Sequence, residues 1–177
     1  MDASEALLTR IENDPLAARR LAWPGDFDIT RRDPVEDVRL PSGLTMRPIA
    51  GDGAGGTFFL CGEPGEAERP VVYADSEGQA ALIGADLTEA VELIVVCPMW
   101  HDLATGYSPA ELEADLRADH PDLDRQREEL AAALGLTLPP VEEVVSRLRA
   151  TTARTVPDFL PYVDDDDHGP YEPLFGP

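Results

Sequence analysis

The fold turns on how Arg47–Cys61, RPIAGDGAGGTFFLC, is read. Gly51, Gly53 and Gly56 match the G-x-G-x-x-G spacing of a dinucleotide-binding loop. Such a loop must open a helix, because the helix N-terminus holds the pyrophosphate. Here TFFLC follows, a β-branched and aromatic run that favours strand, and no strand–helix–strand alternation surrounds it. The stretch therefore reads as two apolar strands joined by a Gly- and Asp-rich turn, an antiparallel hairpin. The chain contains no Lys, which excludes a Walker-type phosphate loop.

Downstream, RPVVYA reads as a third strand, DSEG as a second turn and QAALIGA as a fourth strand. Asp86 then caps a helix, with Glu89 three residues on. That helix carries Leu87, Val91, Ile94 and Val95 and is apolar on nearly all sides, which predicts burial. Pro98 stops it near Cys97. Ser108-Pro109-Ala110-Glu111 is a capping box that starts another helix. PDLDRQREELAAALG closes on Gly135, and PPVEEVVSRLRATTAR begins with Pro, so both predict helices. Upstream, Asp2 with Glu5 predicts a helix over residues 3–13, and PLAARRLA a shorter one before Pro24. Pro24, Pro34 and Pro41 break residues 24–43 into loop with one short strand. Residues 156–177 are Pro-rich and hold four consecutive Asp, so no regular structure is expected there. The sum is an α+β fold with a mostly antiparallel sheet of about four to six strands. It has an N-terminal helix, a buried helix after the last strand and added C-terminal helices. Residues 1–155 form one domain and residues 156–177 a tail.

Charge narrows the function. The 177 residues include 35 Asp and Glu against 14 basic residues, all Arg, for a net charge of −21. A surface this acidic repels nucleic acid and anionic lipid, both polyanions, and attracts basic partners. No apolar run approaches the roughly 20 residues a bilayer span needs. MDASEALLTRIEND lacks the features of a secretory signal. Cys61 and Cys97 show no metal-ligand spacing and read as reduced thiols, so a cytoplasmic protein is expected.

PMWHDL, residues 98–103, gathers a Trp, a His and an Asp after the apolar helix. Adjacent side chains diverge on either a strand or a helix, so His101 and Asp102 do not form a ready acid–base pair. His120 and His168 lack metal-like spacing to His101, and no metal site is expected. Trp100 reads as a large apolar anchor beside the buried helix. No nucleophile motif of the G-x-S-x-G kind occurs. Glu77 lies in a turn, where polarity is the simpler explanation of a carboxylate. Asp164, Asp165, Asp166 and Asp167 read as a solvated run, as an acidic clamp for a basic partner or as a weak divalent-cation site.

The order RPIAGDGAGGTFFLC followed by RPVVYADSEGQAALIGADLTEAVELIVVCPMWHDL resembles the SUKH superfamily. The resemblance runs over residues 44–103. It rests on the turn after Pro48, the strand Phe58–Leu60, the strand Val71–Tyr73, the turn Ser76–Gly78, the helix Leu87–Val96 and the corner Pro98–Asp102. It implies an α+β domain without catalytic residues or cofactor. Bacterial members are chiefly immunity proteins that bind and neutralise a toxin, often a nuclease. Glu77, Asp102 and Asp164–Asp167 are the expected partner contacts, with Phe58, Leu87, Val91, Ile94 and Trp100 as core. Two other readings stand beside this one. The first is a regulatory or scaffold protein of the same fold. The second is an enzyme using Glu77 or His101 with Asp102, which requires those groups to converge.

Overall fold

The computed structural model describes residues 2–176. Helices α1 (Ala3–Asn13) and α2 (Pro15–Ala22) come first, then a short strand β1 (Val38–Arg39). Strands β2 (Met46–Gly51), β3 (Thr57–Cys61), β4 (Val71–Ala74) and β5 (Gln79–Gly84) form an antiparallel meander. GDGAGG is thus a hairpin turn, with Gly51 paired to Thr57. Helix α3 (Leu87–Val96) follows β5, with the Asp86 carboxylate accepting from the Glu89 N–H. A 3₁₀ turn (Trp100–Thr105) and helices α4 (Pro109–Asp119), α5 (Leu123–Leu134) and α6 (Val141–Thr152) complete the helical part. The architecture is α+β, as the sequence predicts.

Strand alternation places Phe58, Leu60, Val71, Tyr73, Ala81 and Ile83 on one face of the sheet, in the larger core. Leu87, Val91, Ile94 and Trp100 sit in that same core, each 1% exposed or less. Helix α3 packs against α1, α6 and β5 and is buried almost all round. Arg127 of α5 secures its C-terminal end. The guanidinium donates to the Val95 and Val96 carbonyls at 3.3 and 2.7 Å and pairs with Glu113 at 2.8 Å. Those carbonyls have no partner within the helix, and a cation there also complements the helix dipole.

The other face of the sheet carries Phe59, Cys61, Val72, Ala74, Ala80 and Leu82, and it too is buried. Its cover comes from β1 and from the segment after α6. That corrects the expectation of an unstructured tail. Strand β6 (Tyr162–Val163) pairs antiparallel with β1, and β7 (Glu172–Pro173) joins the main sheet parallel to β5. Tyr171 packs into the second core at 7% exposure and donates its hydroxyl to Glu36. The Thr155 hydroxyl accepts from the Leu82 N–H at 3.0 Å. Two strands therefore follow the buried helix, and the five-stranded sheet runs β2-β3-β4-β5-β7.

Ionic contacts tie the N-terminus to the sheet. Arg69, 4% exposed, pairs with Asp2 at 2.7 Å and Glu5 at 3.1 Å. The N–H groups of Glu5 and Gly65, then Arg69, hold the Asp2 carboxyl down at about 2.

Candidate functional site

One end of the sheet gathers the two hairpin turns and the 3₁₀ corner. The β2–β3 turn is built around Asp52, which is 4% exposed. Its Oδ1 accepts from the N–H groups of Ala54 and Gly56 at 2.9 and 2.7 Å. Its Oδ2 accepts the Tyr73 hydroxyl at 2.6 Å. A Cβ on Gly56 would lie 2.3 Å from the Tyr73 hydroxyl and 2.6 Å from Asp52 Oδ2, so only glycine fits there. The glycine-rich run thus wraps a carboxylate, the opposite of a phosphate cradle. Asp26 adds a second brace, accepting from the Gly53 N–H at 2.9 Å. Its φ of 53° is left-handed, a region Asp tolerates better than most residues. The Ser76 hydroxyl donates to the Ala54 carbonyl at 3.0 Å and joins the two turns.

The PMWHDL corner lies directly against this framework. Trp100 is fully buried and stands edge-on to Tyr73, with centroids 5.3 Å apart. The His101 ring stacks on Trp100 at 3.7 Å and meets Tyr73 edge-on at 4.7 Å. Trp100 Nε1 and His101 Nε2 are buried and bond to no described residue. Burial pushes the His101 pKa down, while Asp52, Asp26, Asp102 and Asp75 pull the other way. Burial and the Asp52 carboxylate push the Tyr73 hydroxyl up, so it stays protonated.

The fold brings Glu77 and Asp102 to this one end, Glu77 exposed in the β4–β5 turn and Asp102 partly exposed in the 3₁₀ turn. It places Asp164–Asp167 elsewhere, in an exposed bend after β6. Asp164 pairs with Arg39 at 3.2 Å, and Asp165 bonds His168 at 2.8 Å. No described hydrogen bond joins His101 to Asp102 or Glu77. Among the described residues, no cluster of His, Cys, Asp and Glu is arranged to hold a metal ion. Burial pushes the Cys61 and Cys97 thiols up to about 12 and 11, far from reactive thiolates. Asp26, Asp52 and Tyr73 were not singled out from sequence. An Asp set among glycines is the local signal for such a side-chain-braced turn.

Carboxylates at this end stand outside the ion pairs of the described residues, as do most of the 35 Asp and Glu. Ten of the 14 Arg stand in ion pairs with carboxylates. None of those pairs uses Asp26, Asp75, Glu77 or Asp102. Arg31 reaches the area but is bound to Asp28 at 3.4 Å and to the Asp52 carbonyl at 3.2 Å. Two large side chains near the turns in sequence or space are exposed. Val35 is 61% exposed beside Gly55, and Tyr107 is 54% exposed after the 3₁₀ turn.

No protein-family model matches the chain. No curated protein and no solved structure matches it either. Among the described residues, no helix is long and apolar enough to cross a membrane.

Proposed function

We propose that the chain is a non-catalytic acidic binding protein of the SUKH type. It acts in the cytoplasm as an immunity protein and neutralises a basic, nuclease-type toxin domain by stoichiometric contact, without a cofactor. The observation that carries this reading is the turn end. Asp26, Asp75 and Asp102 surround His101 closely enough to act on its charge, Glu77 stands exposed in the β4–β5 turn, and among the described residues none of the four has an ion-pair partner. Nuclease domains are basic because their substrate is a polyanion. An acidic surface is steered onto such a partner and occupies the groove that nucleic acid would enter. Apolar side chains at the rim supply the contact area that charge alone does not. The order of the hairpins, the buried helix and the Trp100 corner supports the same reading through its likeness to that superfamily.

The test is capture from a lysate of the protein's own organism at low and high salt, with captured chains identified by mass. The expected catch is a basic protein with a nuclease-type domain that cannot cut nucleic acid while bound and is released by salt. A partner held equally at both salts, or a bound nuclease that still cuts, would overturn the proposal. A captured basic host protein without toxin activity would favour a regulatory role for the same surface.

A further inference from the structure

We infer that a groove between the C-terminal end of α6 and the last strand binds a small amphiphilic carboxylate. The groove has a volume of about 650 Å³ and is lined by Arg149, Thr152, Ala153, Val156, Pro173, Phe175 and Gly176. Small-molecule sites fall at roughly 300–1,000 Å³ and are mostly apolar with a few fixed polar groups. Among the described residues no Asp or Glu lines it, although the chain has 35 of them. Arg149, like Arg10, Arg19 and Arg154, makes no ion pair among the described residues, and of these four it is the one that lines the groove. Val156 stands 54% exposed at the edge. The site therefore offers one cation beside an apolar trough, which suits an anionic head on an apolar body. A second copy of this chain fits it poorly, since each copy carries a charge of −21. Arg149 lies in the last turn of α6, where a cation also suits the helix dipole. That role alone would leave ligand affinity unchanged when Arg149 is replaced. The inference is independent of the basic partner proposed above.

Phe175 supplies a readout, because its ring is stacked toward Trp100 with centroids 6.3 Å apart. The experiment uses the full chain carrying Trp23→Phe, which leaves Trp100 as the sole Trp; Trp23 is 70% exposed. The probes are decanoate below its micellar range, decanol and decyltrimethylammonium, followed by Trp100 emission and calorimetry. Decanoate is expected to bind saturably, one per chain, and to shift the emission. Arg149→Gln should weaken decanoate about fivefold and leave decanol unchanged, the scale of one exposed ion pair. Thermal unfolding verifies that the variant keeps its fold. The inference fails if decanoate does not saturate, if the cationic amphiphile binds as tightly, or if Arg149→Gln binds decanoate like the parent.

Discussion

Replacing Asp52 by Ala tests whether the glycine-rich turn is held by its buried carboxylate. The change strands three donors at once: the Gly56 N–H at 2.7 Å, the Ala54 N–H at 2.9 Å and the Tyr73 hydroxyl at 2.6 Å. A buried donor left without a partner costs about 1–3 kcal/mol. Ala54 is exposed and recovers some of that from solvent. The expected loss is about 4 kcal/mol, a large part of the roughly 5–15 kcal/mol by which domains are stable. Asp52→Asn keeps an acceptor for the two N–H groups and should cost only about 1 kcal/mol. Urea unfolding of each variant, followed by Trp emission, gives the order Ala, then Asn, then wild type in rising stability. Gly56→Ala should also destabilise, and Tyr73→Phe should relieve part of that cost, because the Tyr73 hydroxyl is the nearest atom to the added Cβ. An Asp52→Ala protein within about 0.5 kcal/mol of wild type would refute the reasoning.

Three further outcomes follow from the same structure. Arg127→Met should lower stability by about 2–3 kcal/mol in thermal unfolding, because it uncaps the Val95 and Val96 carbonyls and strands Glu113; Arg127→Lys should rescue little, since one ammonium cannot reproduce the fork. The folded-state pKa of His101 lies below its ordinary 6.5, so the unfolded chain takes up the proton first as pH falls. His101 therefore contributes stability that is intact above pH 6.5 and lost as pH drops toward its folded value, and His101→Gln should flatten that part of a urea-midpoint-against-pH curve. Truncation after Thr155 should expose the face carrying Phe59, Val72 and Leu82 and yield an aggregating or unfolded chain, checked by size-exclusion chromatography and circular dichroism.

The hairpins and helices were legible because their signals are local. Asp86 with Glu89, Ser108 with Glu111 and the glycine-rich turn each lie within a few residues of what they shape. The second core was not read, although TFFLC, VVYA and QAALIG carried its trace. Strands apolar on consecutive positions are buried on both faces and need two covers. The cover came from residues 156–176, where Pro and Asp conceal the apolar anchors Phe159, Leu160 and Tyr171. A two-residue strand such as β7 has no periodicity to announce it. The candidate end was half legible. Glu77 and Asp102 stood out by position, whereas Asp52 acquires its role from Tyr73, 21 residues away, and Asp26 from Gly53, 27 residues away.

The central claim is that the turn end is the surface that meets a basic partner. Its most direct test compares capture by the wild-type chain with capture by the Asp26→Asn, Glu77→Gln, Asp102→Asn variant at low salt. A second variant, with Asp164–Asp167 changed to Asn, serves as the control; it removes four charges where the turn-end variant removes three. The account predicts that a basic toxin domain is retained by wild type and lost by the turn-end variant. Retention by the turn-end variant, with loss in the Asp164–Asp167 variant, would contradict it and place the contact on the bend after β6.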